Sequence, residues 1–185
     1  TAHGEQIVEY ILYILWDLGL KVGHSTRSID DCVRLAKSDL TIRTALLEAR
    51  YLWGDQDLYL ELRKTFRDQV ISGAAMDFVK GKLDERDTRH EKMGDSRYYV
   101  EPNVKDGKGG LRDLQTLYWI AKFAYEVDSV TDLVARDVLT KSEARNFSKD
   151  QNFLWSVRFH LHYLSGRAEE RLTFDVQTPI SQRMG

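Results

Sequence analysis

The stretch from residue 7 to residue 18 most constrains the fold. Wound as a helix, it places Ile7, Val8, Tyr10, Ile11, Leu12, Ile14, Leu15, Trp16 and Leu18 on nearly every side, with Glu9 and Asp17 as charged interruptions. A helix that is apolar all round must be buried all round. Gly19 is a natural stop, and residues 20–27 then read as a short strand running into a loop. One strand cannot cover such a helix, so partner strands are expected upstream of Thr1. The lack of an initiator Met and the end at Met184-Gly185 are read the same way, as signs of a fragment. The apolar run is too short and too interrupted to span a bilayer, and no secretory signal is visible. No membrane partner is expected, and a cytoplasmic location follows by elimination.

Beyond that stretch helix breakers are scarce, Pro102 and Pro179 being the only prolines, and the expected fold class is mostly α. Ser28 with Asp31 caps a helix over 29–37. A second helix starts near Asp39, carries Leu40, Ala45, Leu46, Ala49 and Leu52, and stops at Gly54. A third covers 57–70, with Leu58, Leu62 and Phe66 on one face. The next, over 75–92, bears charges of both signs and one thin apolar stripe of Phe78, Val79 and Leu83; it reads as a solvated helix held by ion pairs. Residues 98–102 are extended before Pro102. An amphipathic helix over 111–125, a short turn at 130–134, a long helix opened by the Thr140–Glu143 capping box and a final piece over 176–183 complete the chain. Trp53, Trp119 and Trp155 fall on apolar helical faces and are assigned to the core.

The formal net charge of -2 gives no global field that recruits nucleic acid, so any basic site must be local. Cys32, the single cysteine, excludes an internal disulfide, and its apolar neighbours make it a buried thiol rather than a nucleophile. His160 and His162, two apart on a helix, point to different faces, whereas a helical zinc pair wants a spacing of four. His3 and His90 have no companion acids at useful spacing, so no metal site is expected from the histidines. Asp55-Gln56-Asp57 follows Gly54 at a helix start and reads as an N-cap cluster, not as a metal-binding strand.

Chemistry is most legible in Glu101-Pro-Asn-Val-Lys-Asp-Gly-Lys-Gly-Gly-Leu-Arg-Asp113. Lys105, Gly107, Lys108, Gly109, Gly110 and Arg112 fall at the entrance to a helix. Glycines let several N–H groups turn toward one point, a helix N-terminus adds positive partial charge, and three side chains add full ones. The pattern is neither a Walker A loop nor a dinucleotide fingerprint. From the residues alone it is either a phosphate cradle or a polar surface turn that caps a helix. Asp113 is explained by dipole and cap effects; Glu101 and Asn103 could be hydrogen-bonding residues of a cleft.

Tyr-Tyr-Val-Glu-Pro-Asn-Val-Lys, followed by Gly-Lys-Gly-Gly-Leu-Arg-Asp-Leu-Gln-Thr, resembles the bifunctional PII uridylyltransferase/uridylyl-removing enzymes of bacterial nitrogen control. Three more stretches agree in order: the one around Leu15 to Ser25, Asp39-Leu-Thr with Leu46-Leu-Glu-Ala-Arg50, and residues 153–175. The resemblance implies a polymerase-β-like α/β nucleotidyltransferase core, of which residues 1–54 are the C-terminal part, joined to a helical domain over 55–185. It implies transfer of UMP from UTP to a tyrosine of the PII signal protein, Mg²⁺ held by an Asp-x-Asp strand, and glutamine as an effector acting through further regulatory domains. That Asp-x-Asp element is not found, so no catalytic residue and no metal ligand are expected in this chain, and alone it is expected to be inactive.

Lys105, Lys108, Gly109, Gly110 and Arg112 become the expected nucleotide-binding residues, supported by Glu101, Asn103 and Asp113. His24 and Ser25 should lie beside the missing metal strand, and Asp39 resembles an aspartate that contacts the nucleotide in tRNA nucleotidyltransferases, although an N-cap role explains it equally well. Two other readings remain: a non-catalytic helical module that binds a protein partner, and an RNA nucleotidyltransferase. The second fits the acidic net charge poorly.

Overall fold

Nearly every helix begins or ends on a residue suited to the task. The structure, a computed structural model, describes residues 2–185. Helices α1 (Ala2–Asp17), α2 (Ile29–Ser38), α3 (Leu40–Leu47), α4 (Gln56–Phe66), α5 (Ala75–Lys92), α6 (Leu111–Tyr125), α7 (Val130–Ala135), α8 (Lys141–Ser165) and α9 (Phe174–Met184) follow in order, and a π-turn, Arg67–Ile71, continues α4. The protein is mostly α, as its composition implies. Ser28 accepts from the Asp31 amide to start α2, Asp55 accepts from the Asp57 and Leu58 amides to start α4, and Thr140 and Glu143 form a reciprocal capping box on α8. Gly19, at φ +76°, closes α1 through Leu20 N→Leu15 O and Gly19 N→Trp16 O bonds, the paired pattern of a left-handed helix stop.

Several expectations fail. Residues 20–28 form no strand; among the described residues the only β-type pairing is the isolated bridge between Asn103 and Arg171. A strand needs a ladder partner, and no neighbouring backbone supplies one. The first helix is not buried all round: Leu12 is 6% exposed, but Tyr10 is 68% and Trp16 47% exposed, because no described element covers its other faces. The second expected helix ends at Leu47 rather than reaching Gly54, which leaves Trp53 93% exposed and outside the core.

Helix α5 is not a solvated one. Phe78, Lys82 and His90 are buried along α5, which packs chiefly against α6 and meets Leu40 of α3 at Gly81. Phe78 stacks on Phe123 with ring centroids 4.0 Å apart, and Lys82 lies 5.0 Å from the Trp119 ring while its ammonium donates to Glu85 at 2.8 Å. The charges on α5 that most affect the site bond away from the helix, to Asp113.

One hydrophobic core joins Val33, Ala36, Leu47, Phe66, Val70, Phe78 and Phe123, so helices on both sides of residue 54 share it. A second, of Val104, Val157, Leu161 and Ile180, joins the Gly-rich segment to α8 and α9. Cys32 is buried and free, and burial pushes its thiol pKa up, away from the reactive thiolate. Arg43, only 7% exposed, ties the first core together. Its Nε donates to Ala36 O at 2.7 Å, Nη2 to Lys37 O at 2.8 Å and Nη1 to Asp77 at 2.8 Å. These bonds occupy two of the carbonyls orphaned at the end of α2 and reach the start of α5.

Candidate functional site

The segment from Glu101 to Asp113 sits between the two cores, and its backbone is turned inward. Asn103 Oδ1 accepts from the Lys105 amide at 3.0 Å and the Asp106 amide at 2.7 Å. Gly107 N then bonds Asn103 O, Gly110 N bonds Gly107 O, Leu111 N bonds Val104 O and Arg112 N bonds Lys105 O. The glycines serve this self-packing. A Cβ on Gly107 would lie 2.5 Å from Asn103 O, and one on Gly110 would lie 2.8 Å from Lys105 O. Gly109, at φ +83°, takes the left-handed turn.

The amide of Gly109 donates to Asp113 Oδ2 at 2.7 Å, so a carboxylate from the third residue of α6 occupies the place an external anion would take. Two residues of α5 meet the same carboxylate. Arg89 Nη2 lies 2.5 Å from Oδ1, and His90 Nε2 lies 2.9 Å and 3.0 Å from the two oxygens. Facing a carboxylate, Nε2 must carry the proton. Burial pulls the Asp113 pKa upward, but the Gly109 amide, His90 and Arg89 more than offset it and hold the acid below its ordinary value. His90 thus has a companion acid after all, contrary to the sequence expectation; it is 23 residues away along the chain and adjacent across α5 and α6.

The other end of the segment is held in a similar way. Val104 N donates to Glu170 O at 2.8 Å. The Glu170 carboxylate receives Arg158 of α8 through two bonds, at 2.9 Å and 2.6 Å. Burial raises the Glu170 pKa, and the Arg158 bond and charge lower it further than that, so the net shift is downward. Glu101 accepts from the Phe174 amide at 2.9 Å and so starts α9.

The expected site residues are therefore split by direction. Lys108 reaches Asp95 at 2.7 Å and, with Gly109 and Asp113, lines a cleft of about 790 Å³ between α5 and α6 that also holds Arg86, His90 and Arg97. Lys105 and Arg112 both lie near Asp106, at 4.0 Å and 3.7 Å, and Arg112 lies over Trp119. Glu101 and Asn103 border a polar hollow with Lys92, Tyr99 and Arg171. Asp39 is the N-cap of α3, accepting from the Thr41 and Ile42 amides, and the next residue, Leu40, lies against Gly81 of α5. His24 and Ser25 are exposed in the irregular 20–28 connection and make no hydrogen bond to the segment. Sequence reasoning missed Arg89, His90, Arg158 and Glu170. Helical spacing gave no signal for them: His90 lies about 120° round α5 from Phe78, and its partner Asp113 comes from another helix.

Fold and site together define a helical protein that presents a braced, cation-bearing loop beside a charged cleft. A sequence profile described as GlnD PII-uridylyltransferase matches residues 77–185, from α5 through the loop to the last helix, and the chain belongs to that family. It is 63% identical over 185 residues to the bifunctional uridylyltransferase/uridylyl-removing enzyme of Azospirillum brasilense, covering all of this chain and 20% of that protein. The enzymes of the same description from Rhodospirillum rubrum and Novosphingobium aromaticivorans are 61% and 58% identical, again with the whole chain covered and 20% of each relative. The chain thus spans about a fifth of the length of the curated relatives it matches. No solved structure matches it. No helix among the described residues is long and apolar enough to cross a membrane.

Proposed function

We propose that this chain is the helical, nucleotide-facing part of an enzyme that transfers UMP from UTP to a tyrosine of the PII signal protein, in a cytoplasmic setting. The observation that carries the reading is the family match over residues 77–185, which contains the whole braced segment. In this reading Lys105, Lys108 and Arg112 face the triphosphate, with Gly109 and Gly110 shaping the loop that presents them. Asp113, Asn103 and Glu101 hold its form. Asp39, His24 and Ser25 border the nucleotide from the first half of the chain. Because the amides of residues 105–107 and 109–113 already donate within the segment, binding falls mainly to side chains: Lys108 exchanges Asp95 for phosphate, and Lys105 and Arg112 exchange Asp106.

Among the described residues no three His, Cys, Asp or Glu side chains gather as a metal site, so the magnesium of the expected chemistry does not fit here. The roles assigned to this chain are binding and orientation. Residues 1–54 form the C-terminal part of the polymerase-β-like core, the carboxylates that hold the metal and the part that senses glutamine belong to the rest of the polypeptide, and the isolated chain is inactive.

The test is made in the full-length protein, by following transfer of labelled UMP from UTP to PII. Folded protein without transfer overturns the reading. Lys105→Ala and Arg112→Ala should each weaken UTP binding by about 1–3 kcal/mol, the worth of a charge-assisted contact. A non-catalytic protein-binding module would leave UTP affinity unmoved.

A further inference from the structure

Segment 103–113 is joined to the helices around it through two carboxylates, and each carboxylate is served from a different helix. At the exit, Asp113 accepts Gly109 N at 2.7 Å and meets Arg89 at 2.5 Å and His90 at 2.9 Å, both from α5. At the entry, the residue whose carbonyl holds Val104 N is Glu170, and its side chain is forked by Arg158 of α8. Neither clamp points a free cation into the cleft; each fixes the backbone that carries Lys105, Lys108 and Arg112. Both carboxylates are four-fifths buried or more, with side-chain exposures of 20% and 16%. So placed, a charged bond holds geometry more firmly than at the fully exposed surface.

We infer that Arg89, His90 and Arg158 are positioning residues, which act on nucleotide through Asp113 and Glu170 by holding the Gly-rich segment in one preformed shape. The inference rests on the proposed nucleotide-facing role of that segment. Its physical content is pre-organisation: a loop already ordered loses little freedom when it binds, whereas a loosened one must be ordered at the expense of affinity. His90 gives the clamp its geometry, since a ring at this position presents one N–H to both carboxylate oxygens. Arg89 adds charge, and Arg158 does for the entry what this pair does for the exit.

The experiment uses the full-length enzyme and two readings: KM and kcat for UTP with PII as acceptor, and amide hydrogen exchange over the 103–113 segment. His90→Leu is expected to raise KM for UTP about tenfold with kcat little changed, the cost of ordering a loosened loop on binding. Exchange of the loop amides should quicken in step, and His90→Gln, which restores an N–H donor, should recover most of both. Should His90→Leu not fold, Arg89→Lys takes its place with the same two readings. Normal KM with normal exchange overturns the inference, and so does a fall in kcat that merely tracks the folded fraction. Lys108→Ala separates the two levels. If it raises KM while the His90 variants do not, the positioning claim alone fails. If it leaves KM unmoved, the nucleotide-facing reading fails, and the exchange data still decide whether the clamps hold the loop.

Discussion

Replacing Arg43 by Met should destabilise the protein more than any surface charge change, through two backbone carbonyls rather than through its ion pair. Arg43 is 7% exposed, and its guanidinium donates to Ala36 O, Lys37 O and Asp77. The Asp77 side chain is 76% exposed, so that pair is screened and contributes at most about 1 kcal/mol. The bonds to Ala36 O and Lys37 O, each from a charged donor, contribute about 1.5–3 kcal/mol apiece. Methionine keeps most of the volume but leaves the Ala36 carbonyl unpaired in the core and strips the Lys37 carbonyl, at the more exposed end of α2, of its charged donor, for a loss of about 3–5 kcal/mol. At ~2–4 °C per kcal/mol for a domain of this size, Tm should fall by about 6–20 °C. Arg43→Lys has one ammonium for two carbonyls set as a fork and should lose about half as much. Asp77→Asn should shift Tm by no more than about 4 °C. Thermal melts followed by circular dichroism read all three. If Asp77→Asn costs as much as Arg43→Met, the ion pair carries the site and the carbonyl account is wrong.

Two further outcomes follow from the same contacts. Gly110→Ala should cost about 1–3 kcal/mol in a urea titration, because its Cβ would meet three backbone oxygens at 2.8–3.0 Å, whereas Gly23→Ala, with nothing within 4 Å, should be neutral. Stability should also fall in acid. Asp113 and Glu170 titrate below their ordinary values when folded, so each contributes stability that is present above about pH 4 and is lost as pH falls through the lower folded value. Asp113→Asn should flatten that acid limb, and an unchanged pH profile would show that the clamp is not an ionised one.

What could be read from the sequence was what is decided within a turn of helix. Ser28, Thr140 and Glu143 mark their own helix starts, and Gly19 marks its stop, because the partner of each bond lies at most five residues away. Helix α5 was placed correctly over Ala75–Lys92 and its surroundings were misjudged for one reason. Its charges suggested solvent, and only the packing of α6 against it shows that Lys82 has Trp119 beside it and His90 has Asp113. No local signal ends α3 at Leu47; Tyr59 of α4 donates its hydroxyl to Ala49 O at 3.0 Å, a contact across ten residues that the helical pattern does not foretell.

The glycines of the 101–113 segment show most clearly what packing adds to a motif. Glycine was expected to bare the backbone to a ligand, and in the structure it lets the backbone close on itself, with Gly107 and Gly110 pressed against carbonyl oxygens and the Gly109 amide given to Asp113. The two uses need the same residue for the same steric reason, so sequence cannot separate them. They predict different chemistry, however. An open cradle binds phosphate largely through amides and is less sensitive to loss of a single lysine. A closed loop binds mainly through the cations it carries, and it binds well only while Asp113 and Glu170 keep it rigid.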